Sequence, residues 1–373
     1  MVKIFATTFL MIFLGACTSK SSLEFPVSTK VKFAEKPKNI ILLLGDGMGL
    51  AQVTAAVYST YKKTNFEQFP VIGFQKTIAS DNLITDSAAG ATAMACGIKT
   101  YRNGVGVNPD TIPQQSILEL AELKGFATGL VSTVTIIHAT PAAFIAHQKY
   151  RNFYEQIATD FLKTDIDLFI GGGKKYFDRR DSDERNLIKE LEQKNYVVAN
   201  YFNNNLSSKL MDPNRNFVFF TADNHPLSKT QGRDYLPKAA KMSINFLKNR
   251  SKNGFFLMME GSQIDWAGHS NEPIQLIDEL SDFNQTIGVV LDFAMKNQNT
   301  LVIVTGDHET GGLAINPDSK MKKLDLAFTT NDHTGTMIPV FAIGPKAELF
   351  RGIYDNTEIY SKMIEAYGWN ATN

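Results

Sequence analysis

Along this chain, short apolar runs alternate with stretches in which apolar residues recur at three- and four-residue spacing. The runs at 39–44, 71–76, 126–131, 167–170, 217–220, 255–259, 301–305 and 338–343 predict strands, because a brief and nearly uninterrupted apolar run suits a strand buried on both faces. Helical periodicity at 87–96, 115–123, 154–162, 183–193, 237–248, 273–296 and 357–366 predicts helices between most of them. Such alternation is the pattern of a parallel sheet covered by helices. The expected fold class is α/β: a single large domain, 38–373, with a mainly parallel central sheet flanked by helices. Neither an internal repeat nor a low-complexity tract divides it.

The first residues depart from this pattern. Lys3 precedes an apolar run at 4–14, and Leu14-Gly15-Ala16 leads into Cys17. The run is short for a membrane span and reads as a signal peptide over 1–16. Its ending resembles the bacterial lipobox, so Cys17 is expected to carry lipid and hold the protein to a membrane, with 17–37 as a tether. Thr18 and the lack of an acidic run after Cys17 point to the outer membrane, facing the periplasm; a plain periplasmic protein is the alternative. With Cys17 so used, Cys96 is left without a disulfide partner, and its apolar helical surroundings predict burial as a small hydrophobe. Lys plus Arg and Asp plus Glu both number 38. That balance leaves no basic footprint, which argues against nucleic acid as a specific partner.

In open α/β sheets, ligands bind beyond the carboxyl ends of the strands. Those ends read Gly45-Asp46-Gly47, Glu260-Gly261 and Gly306-Asp307-His308-Glu309. Carboxylates gathered on one edge repel one another and call for cations. Asp265 and His269 stand four residues apart, which on a helical turn places both on one face at a chelating spacing for zinc. Asp332-His333 precedes the last strand in a similar position. One histidine is most often structural, but three beside acids at a single edge point to metal. Thr85-Asp86-Ser87 opens a helix of small residues, where N–H groups and the helix dipole stabilise an anion. Ser87 is either a helix cap or, beside metal, a nucleophile.

Five motifs in order carry a resemblance to the alkaline phosphatase family: Leu44-Gly45-Asp46-Gly47-Met48-Gly49, Thr85-Asp86-Ser87-Ala88-Ala89, His138-Ala139-Thr140-Pro141 with Arg151 downstream, Glu260 to His269, and Gly306 to Gly312 with His333-Thr334-Gly335. The resemblance implies a phosphate-monoester hydrolase with Ser87 as nucleophile and Arg151 as phosphate clamp. It implies a first zinc on Asp265, His269 and His333, and a second zinc on Asp46, Asp307 and His308. A magnesium ion would sit on Asp46, Thr140 and Glu260. Asp86, His138 and Trp266 would stand around these groups. Where well-known members have Asp and Lys, this chain has His138 and Trp266, a pairing that resembles short bacterial and cold-adapted forms and leaves the third site open to zinc as well. The resemblance also implies a homodimer, on weaker ground, because only 309–332 separates His308 from His333 and the insertion that forms the dimer crown is missing or vestigial.

These residue types suit the chemistry. Hydrolysis of a phosphate monoester is among the slowest uncatalysed reactions, so neutralising its charge must supply much of the rate. Two cations about 4 Å apart would serve the attacking and leaving oxygens, and the guanidinium of Arg151 grips two non-bridging oxygens at once. A sulfatase would need a Cys-x-Pro-x-Arg type segment, which is absent. A phosphodiesterase of the same superfamily and a non-catalytic metal-binding lipoprotein remain as rival readings. His147 is expected to be structural and His225 a loop residue.

Overall fold

Strands β1 (Asn39–Gly45), β7 (Phe255–Gly261) and β8 (Thr300–Gly306) form the middle of the sheet in a computed structural model that describes residues 31–369. The leader at 1–16, Cys17, most of the tether and Asn370 lie outside the described residues. On one side of this trio run β3 (Ala127–Thr135), β4 (Leu168–Gly172), β6 (Asn216–Phe220) and β5 (Tyr196–Asn200). On the other come β13 (Ile338–Ile343), β2 (Val71–Lys76) and β14 (Gly352–Asp355). The ten-stranded order is β14-β2-β13-β8-β1-β7-β3-β4-β6-β5. Every pairing is parallel except those of β13, which runs antiparallel to both neighbours. The mainly parallel α/β sheet expected from the sequence is therefore present.

The pleat divides the apolar runs between two cores. Ile40, Leu42 and Leu44 of β1 face one core, which α2 (Ser87–Cys96), α3 (Ile117–Leu123), α5 (Tyr154–Asp160) and α11 (Thr357–Tyr367) close. Ile41 and Leu43 face the other, closed by α1 (Leu50–Tyr58), α8 (Leu236–Leu247) and α10 (Pro273–Asn297). Two buried faces explain why these strands have no polar alternation. Each fully buried Leu or Ile here stabilises the fold by roughly 2 kcal/mol. Cys96 is buried among them as a free thiol, its pKa pushed up by burial.

Several boundaries differ from expectation for local reasons. The helix expected from 183 is α7 (Leu187–Gln193), because the Asn186 side chain caps it by accepting from the Lys189 N–H at 3.0 Å. Likewise α3 begins at Ile117, where Ser116 and Glu119 form a capping box. Helices α1, α4 (Ala139–Ala142) and α6 (Lys175–Asp178), edge strands β5 and β14, and two ribbons were not anticipated. The ribbons pair β9 (Glu309–Thr310) with β12 (His333–Thr334) and β10 (Leu313–Ile315) with β11 (Leu326–Phe328). The first ribbon brings His333 beside the end of β8.

Candidate active site

Strands β8, β1 and β7 end in register, with Gly45 level with both Gly261 and Gly306. Asp46, Glu260, Asp307 and His308 are thus delivered to one edge and are almost fully buried there. Asp46, Asp307 and His308 offer ligand atoms within 4.8 Å of one another. The His308 Nε2 lies 3.2 Å from Asp307 Oδ2 and 3.5 Å from Asp46 Oδ1. Gly47 makes the crowding feasible. Its φ is +71°, its N–H donates to Asp307 Oδ1 at 3.1 Å, and a Cβ there would come 2.7 Å from the Asp265 Cα.

A second group forms on α9 (Gln263–His269), the helical turn expected after β7. Asp265 and His269 do share a face, and β12 adds His333, so these three also hold ligand atoms within 4.8 Å. His269 Nε2 and His333 Nε2 approach to 3.1 Å, while their Nδ1 atoms face the carbonyls of Asn331 (2.6 Å) and Thr85 (2.8 Å). Carbonyls at Nδ1 require N–H there, which turns the Nε2 lone pairs of both rings toward the shared space. The His308 and His333 rings stack with centroids 3.6 Å apart and join the two groups.

The third group is Asp46, Glu260 and His138, again within 4.8 Å. His138, expected only beside this site, therefore falls within ligand range, and its buried Nδ1 has no hydrogen-bond partner. Thr140, from α4, also has an unpartnered buried hydroxyl.

Those orphans test the fit to metal. Both oxygens of Asp46 and of Glu260, Asp307 Oδ2, Thr140 Oγ1 and His138 Nδ1 are buried without a hydrogen bond. Burying one such atom without a partner costs about 1–3 kcal/mol, and several in one place mark a missing partner. Electrostatics agree. Burial, reinforced by Asp307, Asp265 and Glu260, holds the Asp46 carboxyl well above its usual range. Burial also pushes Glu260 up to about 7, with Asp307 adding to the shift. His308 is held well below its ordinary value by burial and then by His333; for His138 the causes are burial and then Arg151. Neutral imidazoles and carboxylates short of positive charge are the donor set a hard or borderline divalent cation requires.

Ser87 heads α2, whose ten residues are all buried. The cap is Asp86, not Ser87: Asp86 Oδ1 accepts from the Ala89 N–H at 3.0 Å. The Ser87 hydroxyl takes no part in capping and lies within hydrogen-bond distance of His308 Nε2, at 3.3 Å. Small residues let the helix come this close, since a Cβ on Gly90 would already meet the Asp307 carbonyl at 3.2 Å. Asp86 Oδ2 accepts from Arg151 at 3.0 Å, and a second Arg151 nitrogen sits 3.3 Å from His138 Nε2. Ser87, Arg151, His138, Trp266, Asp265, His269 and His333 line one open cavity of about 430 Å³.

Two histidines lie outside these groups. His147 faces the Gly106 carbonyl at 2.7 Å and Glu119 at 2.8 Å. His225, read as a loop residue, accepts from the Thr135 N–H at 3.3 Å and sets its ring against Trp266, centroids 4.8 Å apart. No motif marked that contact, because the fold alone brings 225 to 266.

Comparison with known proteins agrees with this geometry. The family model described as alkaline phosphatase matches residues 37–327 and 314–368. Alkaline phosphatase 3 of Bacillus subtilis is 35% identical, the match covering 89% of each chain. The structure of alkaline phosphatase from the Antarctic bacterium TAB5 superposes with a TM-score of 0.86 at 41% identity, covering 90% of this chain and 100% of that one. A TAB5 variant with Mg bound in its M3 site gives a TM-score of 0.85 at the same identity, covering 90% of this chain and 99% of that one.

Proposed function

We take as premise that the chain belongs to the alkaline phosphatase family and is an enzyme that hydrolyses phosphate monoesters, and we propose that it does so through a phosphoserine at Ser87. The observation that carries this reading is the Ser87 hydroxyl, released from capping by Asp86, at the head of a buried helix and 3.3 Å from His308.

The Ser87 hydroxyl gives up its proton to solvent as its oxygen attacks phosphorus in line, the ester P–O bond breaks, and the leaving oxygen takes a proton from solvent and departs as the alcohol toward the open cavity. Arg151, aligned by Asp86, grips non-bridging oxygens with two nitrogens and holds the phosphoryl group over Ser87. The backbone N–H groups at the start of α2 add positive potential at the same point. Zinc ions on Asp265, His269 and His333 and on Asp46, Asp307 and His308, with magnesium or zinc on Asp46, Glu260 and Thr140 within reach of His138, would when bound stabilise charge on the attacking and leaving oxygens. Water then cleaves the phosphoserine, and Ser87 is restored.

Ser87→Ala should lower p-nitrophenyl phosphate turnover by about a thousandfold or more while leaving metal content by elemental analysis unchanged. Acid-quenched wild-type enzyme should yield a Ser87 phosphopeptide by mass spectrometry. A variant within twofold of wild type would sink the assignment.

We further propose that 1–16 is a removed leader, that 38–373 is the catalytic domain, and that lipid on Cys17 tethers the enzyme to the outer membrane facing the periplasm. Cys17→Ser should abolish incorporation of labelled palmitate, and an unlabelled wild type would refute the anchor. Assembly as a homodimer stays an expectation that light scattering checks.

A further inference from the structure

We infer that Arg102 forms a second anion subsite at the mouth of the catalytic cavity, selecting phosphate monoesters whose alcohol carries a further anionic group; this rests on the phosphomonoesterase reading above. Arg102 lines the same cavity as Ser87 and Arg151. The backbone that carries it is fastened on both sides, through its neighbour Asn103 to the pair that aligns the phosphate clamp. On one side the Arg102 N–H donates to Asp81 Oδ1 at 3.0 Å. On the other, the Asn103 N–H donates to Asp86 Oδ2 at 3.1 Å, and the Asn103 carbonyl accepts from the Arg151 N–H at 2.8 Å. Asn103 turns through a left-handed φ of 75°, a conformation Asn tolerates better than most residues. The Arg102 Cα is thus tied to the residues that orient the phosphoryl clamp, while its side chain extends into solvent.

Charge bookkeeping isolates this side chain. Among the other charged residues that line the cavity, Asp86 pairs with Arg151, Asp265 belongs with His269 and His333, and Asp332 accepts from the His333 N–H at 2.8 Å. Arg102 makes no side-chain hydrogen bond or ion pair among the described residues. A phosphoryl group held by Arg151 and Ser87 leaves its alcohol projecting toward this mouth. There a carboxylate or second phosphate on the alcohol meets a planar fork able to bind two oxygens. Arginine also keeps its charge at the alkaline pH where a lysine, titrating near 10.4, would begin to lose it.

The matched probes are glycerol phosphate and phosphoglycerate, whose far carbons carry a hydroxyl and a carboxylate. In the full-length enzyme with Arg102→Ala, the ratio of kcat/KM for phosphoglycerate over glycerol phosphate should fall by about three- to tenfold, chiefly through KM. Raising salt should lower the wild-type ratio in the same direction, because the subsite is exposed. Arg102→Lys should keep most of the ratio at pH 8 and lose it above pH 10. A ratio unchanged in Arg102→Ala, or a wild-type ratio indifferent to salt, overturns the subsite. Wild-type enzyme that hydrolyses neither probe overturns the phosphomonoesterase reading, and the subsite with it.

Discussion

The carboxylates at the ends of β1, β7 and β8 and those on the inner side of α10 are equally buried, yet the chain treats them in opposite ways. Glu279 and Asp282 on α10 meet Arg233, whose Nη2 donates to Glu279 at 2.6 Å and to Asp282 Oδ2 at 3.0 Å, and Lys229 lies 3.3 Å from the other Asp282 oxygen. Burial alone would lower the Arg233 pKa, but Glu279 outweighs it and holds the guanidinium above its ordinary value. Among the described residues, Asp46, Glu260 and Asp307 have no Lys or Arg in contact. Arg151, the guanidinium that acts on Asp46, is paired with Asp86. Where the sequence supplies the counter-charge, a buried acidic cluster is a brace that ties the 228–233 loop to α10; where it withholds it, the cluster is a place for an exogenous ion.

Removing metal should break this comparison most visibly. Chelation is expected to abolish phosphatase turnover, with recovery on adding zinc and magnesium. It should also make stability depend on pH with a defined sign. A carboxyl whose folded pKa is raised costs stability once it ionises, so the strand-end carboxylates of the stripped protein favour acid, whereas His308 and His138, held below their ordinary value, act in the opposite sense below pH 6.5. Glu260 alone should contribute a loss on the order of a few kcal/mol as pH rises from its ordinary 4.5 through its folded value of about 7, and above pH 6.5 the histidines no longer offset it. Melting curves of stripped and metal-replete enzyme from pH 5 to 8.5 check it: a parallel pH dependence in both would show that the strand-end carboxylates are not the source.

Arg233→Met tests the other side. It leaves Glu279 and Asp282 buried without their partner and should destabilise the fold by about 3–5 kcal/mol, read from denaturant midpoints. Metal content and turnover per folded molecule should persist. Loss of bound metal from a still folded variant would mean that the two clusters are not separate.

The two clusters were also unequally legible in the sequence. Asp46, Glu260 and Asp307 each end or follow a glycine-flanked apolar run, so position along a strand already announced them. Glu279, Asp282 and Arg233 meet only when α10 packs on the 228–233 loop, and no spacing signals that. The same distinction holds for the fold. The runs of β1, β7 and β8 were readable because both faces are buried, whereas Ile353 of edge strand β14 is 64% exposed and the strand lacks such a run. Strand direction was hidden as well: β13 reads like its neighbours but runs antiparallel, since direction depends on the connection and not on side-chain pattern. Arg102, His225 and the ligand-range position of His138 are likewise products of the fold.

Within the site, Trp266 separates a packing role from a phosphate role at smaller cost. Trp266→Lys adds a cation to the cavity, and should lower both the phosphate inhibition constant and the maximal rate several-fold by tightening the hold on product. His225 sharpens the test, since its ring supports the indole. His225→Asn and Trp266→Ala should therefore change phosphate inhibition non-additively, by at least about twofold beyond independent effects. Additive effects would leave the two rings as unrelated packing.

The smallest expected effect lies at His147, whose pair with Glu119 is less buried than either cluster. Its Nδ1 faces the Gly106 carbonyl and its Nε2 faces the Glu119 carboxylate. Two acceptors can both be satisfied only by the doubly protonated ring. Burial opposes that charge, but Glu119 and the Gly106 carbonyl prevail and raise the pKa above its ordinary 6.5. For a histidine so shifted, the stabilisation is complete below 6.5 and is lost as pH climbs through the folded value. His147→Gln, which keeps at most one of the two hydrogen bonds, should therefore cost about 1 kcal/mol at pH 5.5 and distinctly less at pH 8.5. Denaturant midpoints of the two proteins at both pH values decide the matter. A gap of the same size at each would assign the His147 contribution to packing against the 104–106 turn and remove protonation from it, leaving Glu119 to its part in the α3 capping box alone.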